Sequence, residues 1–381
     1  MLTLPTGEGD FVAWAPSGDD PIAPEHGGFT SRVAYAAAHV IADPFLDPPT
    51  EGLPPIDWDA TLLLRRHLWD LGFGVAEAMD TAQRGAGVEW ETARELITRT
   101  AATASGPAVY GALTDQLASG GRFTLEQITD AYHEQVAFIE EHGGTAIVMA
   151  SRHLASAAKS PEDYIRVYRD VIAEASRPVL IHWLGEAFDP ALAGYWGSSD
   201  VEVAADIVLD VIADDQGKVS GLKLSVLDAG LEVRLRRRLP QGVAMFTGDD
   251  LDYVDLIQGD AEGHSDALLG ILGPIAPVAA TALQALDAGD IPRYRSLLEP
   301  TLALSRQLFS APTFHYKTGV VFLAYVSGLQ DHFRMVSGAE GARSLPHLAR
   351  LLILADQARL IPDPELAVHR MRLILELGGV S

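Results

Sequence analysis

The run 219-VSGLKLSVL-227 carries a single lysine, Lys223, in the middle of a strand-like stretch of Val, Leu and Ser. Burying an ammonium without a partner is costly, and a lysine so placed gives up its proton instead. Composition sharpens the point: of 28 basic residues only Lys159, Lys218, Lys223 and Lys317 are lysine, and the rest are arginine. A guanidinium cannot be deprotonated and forms no imine, whereas a desolvated amine does both. Lys223 is therefore a candidate nucleophile toward a carbonyl carbon. The plain alternative is a strand-end lysine paired with a carboxylate such as Asp249.

Residues able to move protons or bind oxygen close the other apolar runs. His39 and Asp43 follow the first, and Glu77 leads into 80-DTAQRG-85. Tyr110 precedes Thr114 and Asp115, and Ser151, Arg152 and His153 follow the next run. His182 stands beside Trp183, Lys223 precedes Ser225, 247-TGDD-250 ends a run, and His264, Ser265 and Asp266 accompany the last. His182 has the residue type whose ordinary pKa suits proton transfer at neutral pH. Each also has a bland reading: a hydrogen-bonded core histidine, an ordinary loop, or a buried carboxylate that needs a partner or a proton.

The elements that must position these residues alternate in a regular beat from about residue 33. Strand candidates are 32–41, 74–79, 108–113, 145–151, 178–184, 221–226, 243–248 and 262–268. Amphipathic helical patterns lie between them, such as TLEQITDAYHEQVAFIEEHG with Thr at its N-cap and SPEDYIRVYRDVIAEAS with Pro at its start. Eight βα units with strands too apolar to face water predict a closed parallel (β/α)8 TIM barrel, an α/β fold. Its chemistry belongs at the C-terminal ends of the strands. An open doubly wound sheet competes, but no G-x-G-x-x-G follows the first strand. The expected organisation is an N-terminal arm or hairpin at 1–31, the barrel at 32–312 and a C-terminal helical extension at 313–381.

The totals bound the partners. With 48% hydrophobic residues and no long polar tract, the 381-residue chain is a folded globule. No run reaches the roughly 18 apolar residues that span a bilayer. A net charge of −24 speaks against nucleic acid and anionic membrane. The absence of cysteine excludes disulfides and thiolate metal sites. With no signal peptide in the N-terminal residues, the expectation is a cytoplasmic protein acting on a small molecule. The apolar C-terminal helices add the expectation of a homo-oligomer, a dimer or tetramer.

Gly221-Leu222-Lys223-Leu224-Ser225 resembles the Gly-Ile/Leu-Lys-x-Ala/Ser/Thr strand of the N-acetylneuraminate lyase and dihydrodipicolinate synthase superfamily. The run 246-FTGDD-250 is similar to the end of that family's strand seven. Further along, 259-GDAEGHSDALLGILGPIAP-277, 286-LDAGD-290 and TFHYKTGVVFLAYVSGLQ resemble later family landmarks, in family order. The likeness covers roughly residues 33–360 and is that of a remote member, nearest a subgroup of unknown function. It implies that Lys223 forms a Schiff base, which in the family is made with a 2-oxo acid. The departures fall at the site. The family's Gly-Thr-Thr-Gly-Glu loop, which holds a substrate carboxylate, corresponds to Met79-Asp80-Thr81-Ala82-Gln83, so Thr81 matches and Asp80 replaces a threonine. The strand-five Tyr-Asn-x-Pro, with its proton-relaying tyrosine, corresponds to Ile181-His182-Trp183-Leu184.

The expectation is then a class I, Schiff-base aldolase-type lyase acting on a keto acid, keto sugar or sugar-derived acid, with no cofactor. Lys223 is its nucleophile, and His182 and Tyr110 are its acid and base. Thr81, Asp80 and amides near Ala82 anchor the substrate; Asp249, Asp250, His264 and Ser225 bind its hydroxyls or orient these groups. One alternative is a sugar isomerase, epimerase or class II aldolase using a divalent metal held by Glu77, His153, His182, Asp249 and His264. The other is a non-catalytic sugar-binding barrel.

Overall fold

Short apolar runs fold as strands and the amphipathic stretches between them as helices, because only that pairing buries both faces of each strand. The structure is a computed structural model describing all residues except 8, 24–26, 48–51, 215–216 and 381. Parts of the expected N-terminal arm and the end of the helix expected after strand five lie outside the described residues. A hairpin of β1 (Leu2–Pro5) and β2 (Phe11–Trp14) precedes β3 (Ala34–Ala37), α1 (Trp58–Asp70), β4 (Gly74–Glu77), α2 (Trp90–Thr103), β5 (Ala108–Ala112) and α3 (Leu125–Glu141). Next come β6 (Thr145–Met149), α4 (Arg152–Ala157), α5 (Pro161–Glu174), β7 (Val179–Leu184), α6 (Val201–Asp214), β8 (Val219–Ser225) and α7 (Ala229–Arg236). Then follow β9 (Ala244–Thr247), α8 (Tyr253–Gln258), β10 (Asp266–Leu269), α9 (Ala276–Asp287) and α10 (Ile291–Leu308). The chain closes with α11 (Tyr316–Val326), α12 (Leu345–Gln357) and α13 (Pro364–Leu377).

Strands β3 to β10 pair in parallel in chain order, and β10 closes on β3. The fold is the expected α/β TIM barrel, with further helices in the C-terminal part of the sequence. Local signals act where the sequence places them. Thr124 and Gln127 form a reciprocal capping box on α3. Pro161 opens α5, where its missing N–H costs nothing. Asp228 caps α7 by accepting from the Leu231 amide.

The chain divides into two compact units, one of residues 1–31, 38–73 and 270–381, the other of 32–37 and 74–269. The C-terminal helices thus belong to a unit that takes up the chain from 270, where sequence analysis places the boundary at 312. Within that first unit every residue of α11 is buried, and α12 and α13 pack against it. The apolar residues of α11 are thus covered by the chain itself, while Leu373 and Leu377 of α13 stay exposed.

The second unit holds all eight barrel strands. Side chains alternate between lumen and helix layer along each strand. The lumen side is filled by Ala37, Ala76, Val109, Ile147, Met149, Leu180, Phe246 and Leu268. Glycine makes room for the large members: a Cβ at Gly221 would meet the Phe246 ring at 2.7 Å, and one at Gly111 the Met149 Sδ at the same distance. The turn after β4 is pinned by a buried guanidinium. Arg84 Nε and Nη2 donate to the two oxygens of Asp115, each at 2.6 Å, while Nη1 donates to the carbonyls of Ala78 and Gly111. Gln135 accepts from Arg84 and donates to Asp115. Burial alone would raise the Asp115 pKa, but the bonds and charge of Arg84 outweigh it and hold the carboxyl below its ordinary value.

Breaking this pair strands a buried charge. Arg84→Met is expected to lower unfolding stability by roughly 3–5 kcal/mol, and Arg84→Met combined with Asp115→Leu to recover much of that loss. Denaturant midpoints of the three proteins, compared under one buffer condition, check both statements.

Candidate active site

Lys223 lies on the lumen side of β8. Across four neighbouring strands Met149, His182, Lys223 and Phe246 stand in register, and Met149 and Phe246 belong to the lumen core. Residues in register on neighbouring strands share a face, so His182 and Lys223 also point inward. Below the amine, on the same face of β8, Gly221 is covered by the Phe246 ring. This apolar floor removes water from the ammonium. Burial lowers the Lys223 pKa below its ordinary value, with the charges of Asp80 and Asp250 opposing that effect in part. Among the described residues Lys223 makes no ion pair, so the pairing with Asp249 that offers the plain alternative is not formed.

His182 is fully buried beside the lysine. Its Nε2 shares a 3.1 Å hydrogen bond with Ser225 Oγ, and its Nδ1 has no partner. Burial first, and the Lys223 charge second, hold the imidazole well below its usual range. This corrects the expectation of an ordinary pKa: His182 is a neutral ring at pH 7, able to accept a proton but not stored as an imidazolium. Ser225, two residues beyond Lys223 and also inward, fixes the ring. The third member of the group is one that sequence reasoning missed. A Cβ at Gly248 would stand 2.1 Å from Ser225 Oγ and 3.1 Å from Lys223 Cε. Its signal was a glycine ending an apolar strand run, which marks a close approach.

Asp80 opens a 3-10 turn, Asp80–Ala82, beyond the end of β4. The amides of Ala82 and Gln83 donate to Met79 and Asp80 carbonyls, and that of Arg84 to Met79. The expectation that Ala82 offers an amide to the substrate is therefore corrected, because the turn itself consumes it. Thr81 is buried in this turn. Asp80 and Asp250 are the two carboxylates whose charge reaches Lys223.

Several expected residues stand elsewhere. Tyr110 faces the helix layer: its ring lies where Cβ atoms on Gly144 would meet it at 2.6 Å. It pairs in register with Glu77, which shares that outer face and accepts from Thr100 Oγ1 of α2 at 2.8 Å. Tyr110 is thus no acid or base for Lys223. Its phenol is pushed upward by burial and by Glu77. Asp249 also turns away, its Oδ1 accepting from the amides of Leu251 and Asp252 at 2.8 and 3.1 Å. His264 is exposed and precedes β10, which places it at the opposite, N-terminal end of the barrel. His153 shares a hydrogen bond with Thr114 Oγ1 at 2.9 Å. In the other unit, His39 is buried against Gln330, and burial pushes its pKa down to about 4. The metal set of Glu77, His153, His182, Asp249 and His264 is accordingly dispersed. Among the described residues no three His, Asp or Glu side chains gather as a metal ion would require.

Behind β9 lies a buried acid that sequence reasoning did not single out. Glu232 of α7 accepts from Ser265 Oγ at 2.7 Å, and burial raises its pKa to about 7 despite that bond and one from Thr247. The stretch 231-LEVRLRRR-238 gave no signal of it, since a Glu among arginines reads as a surface ion pair.

The family model described as "Protein of unknown function (DUF993)" matches residues 2–380. No curated protein matches the chain. Among solved structures the chain is similar to YagE, a prophage protein of the dihydrodipicolinic acid synthase family from E. coli K12 in complex with pyruvate. The identity is 14% and the TM-score 0.67, covering 87% of this chain and 99% of that one. Dihydrodipicolinate synthase from Aquifex aeolicus matches at 13% identity and TM-score 0.62, over 92% and 98% of the two chains. The enzyme DapA-2 from Bacillus anthracis matches at 16% and 0.63, over 86% and 98%. At such identities the likeness is one of fold, and at that level it agrees with the resemblance carried by the sequence motifs. No helix among the described residues is long and apolar enough to cross a membrane.

Two outcomes follow, one from the packing around Lys223 and one from the buried acid behind β9. Gly248→Ala forces Ser225 and Lys223 to move and is expected to cost roughly 1–3 kcal/mol of stability, read from the denaturant midpoint. For Glu232, the folded state keeps a proton that the unfolded chain has lost between its ordinary value of 4.5 and about 7. Its stabilising contribution is full below that window and disappears as pH rises through 7. The effect is roughly 3 kcal/mol. Thermal unfolding of the native protein and of Glu232→Gln across pH 4.5–8 checks it, with the variant losing this part of the slope.

Proposed function

The chain belongs to the DUF993 family, and we propose that it is a Schiff-base lyase in which the Lys223 amine attacks the carbonyl of a small-molecule substrate. The observation that carries this reading is an unpaired lysine on the lumen side of the barrel, desolvated by an apolar floor and flanked by a neutral imidazole. The fold shared with dihydrodipicolinate synthases supports it.

Attack of the nitrogen on the carbonyl carbon gives a carbinolamine, and loss of water gives an iminium on Lys223. The iminium then receives the electron pair of the bond between its α- and β-carbons as that bond breaks, leaving an enamine and releasing the β-carbon fragment as an aldehyde or ketone. His182 takes the proton released from the β-hydroxyl in that step, and Ser225 keeps the ring aimed. Protonation of the enamine carbon and hydrolysis return the free amine. The iminium is itself the electron sink, so the proposed cycle needs no metal or organic cofactor. Aldol addition is the same sequence reversed.

Incubation with candidate carbonyl compounds and cyanoborohydride, followed by peptide mass mapping, tests the reading. The expected result is a reduced adduct on Lys223, absent in Lys223→Arg. His182→Phe is expected to keep the adduct and lower turnover by roughly 10²–10⁴-fold. Tight binding of a sugar with no adduct under any condition would instead support a non-catalytic barrel.

A further inference from the structure

We infer that the substrate of Lys223 is a hydroxylated aldehyde or ketone with no carboxylate beside its carbonyl, and so is not a 2-oxo acid. The inference rests on the Schiff-base reading above and names the substrate class of that same site.

The first observation is the charge around the amine. In the closed barrel β4 and β8 stand on opposite sides, while β9 adjoins β8. Asp80 follows the end of β4 and Asp250 the end of β9, and the charges of both act on the Lys223 amine. A substrate carbon bound to that nitrogen is therefore met by negative charge from across the lumen and from the adjacent strand. A carboxylate on the carbon next to the C=N bond would face both, and like-charge juxtaposition of this kind is strongly disfavoured.

The second observation concerns the groups that could receive a carboxylate. The amides of Ala82, Gln83 and Arg84 are consumed within the turn that carries Asp80. Arg84 and Arg152, which follow the C-terminal ends of β4 and β6, are already paired, Arg84 with Asp115 and Arg152 with Asp189. Bidentate recognition of a carboxylate by a guanidinium is thus closed to both.

The third observation is the hydrogen-bonding inventory. Asp80 and Asp250 as carboxylates only accept hydrogen bonds. His182 Nδ1 is buried without a partner in the same lumen layer as Lys223. A site rich in acceptors fits a substrate rich in hydroxyl donors. A neutral carbonyl compound also becomes a cation when its oxygen leaves as water and the iminium forms. Two carboxylates then stabilise the charge that appears during reaction, which accelerates the step and does not merely tighten ground-state binding.

A matched set of ketones tests this on the full chain. The protein is incubated separately with dihydroxyacetone, erythrulose and pyruvate at equal concentration with cyanoborohydride. The initial rate of adduct formation on Lys223 is followed by peptide mass mapping and divided by the rate with N-acetyl-lysine methyl ester to remove intrinsic reactivity. Lys223→Arg serves as the blank. The expected result is that one or both hydroxyketones exceed pyruvate by about tenfold or more, and that Asp80→Asn with Asp250→Asn shrinks the ratio by a similar factor through faster trapping of pyruvate. Pyruvate trapped on Lys223 as fast as the hydroxyketones in the native protein overturns the inference and leaves the imine reading standing. No Lys223 adduct with any of the three overturns both. Should the double variant fold poorly, the ratio in the native protein decides alone.

Discussion

The site depends on keeping one amine dry without sealing it into an ion pair. A lysine in water is an ammonium and a poor nucleophile; the same group against a wall of carbon loses its proton at lower pH. Phe246 over Gly221 builds that wall beneath Lys223. The carboxylates of Asp80 and Asp250 work the other way, favouring the charged form, yet the net shift remains downward. In the proposed reaction this balance serves both ways: the floor would make the free amine available, and the carboxylates would stabilise the cation formed once the amine has reacted. A direct Lys–Asp contact would have removed the first half of this balance by locking the proton on nitrogen.

Keeping the Asp80 carboxylate out of an ion pair with the amine is a matter of backbone rigidity more than of the acid itself. Asp80 sits on a 3-10 turn whose amides are spent internally and whose far end is anchored by Arg84. The guanidinium ties carbonyls of two neighbouring strand ends to Asp115 and Gln135, so the turn has little freedom to swing Asp80 onto the lysine. On the other side Gly248 lets the β9 end pass within reach of Ser225 and Lys223 where any side chain would collide. Preorganised groups of this kind act through the shell that supports them.

The barrel was legible because apolar runs and helix caps are local signals. The eight strands appear at the expected places, and Thr124, Pro161 and Asp228 act as the termini their types imply. Lys223 was legible because a chain that otherwise uses arginine had placed a lysine among leucines. The face of each strand was harder to read. Glu77 and Tyr110 lie on apolar runs like Lys223 and His182, but in a structure of period two a single step sends a side chain to the helix layer. Only the register, which pairs Glu77 with Tyr110 and Lys223 with His182, separates the two sets. His264 was misplaced for a related reason. The last strand is only the four residues Asp266–Leu269, so the polar residues before it belong to its beginning and not its end. Asp249 was lost to a local competitor: an aspartate in a tight turn caps the amides that follow it.

The pairing of Lys223 with His182 has a consequence for the order of proton movements in the proposed cycle. Their positive charges disfavour one another, and both are desolvated, so the pair resists holding two protons at once. When the iminium forms, its charge keeps His182 neutral, and the ring is a base when the β-hydroxyl must lose its proton. Cleavage converts the iminium to a neutral enamine, and the proton that His182 has just taken is then tolerated beside it. Protonating the enamine carbon empties the ring again as the iminium returns. The positive charge is thus passed between two adjacent nitrogens and never doubled, a division of labour that a tyrosine, neutral when protonated, would perform with a different balance of charge.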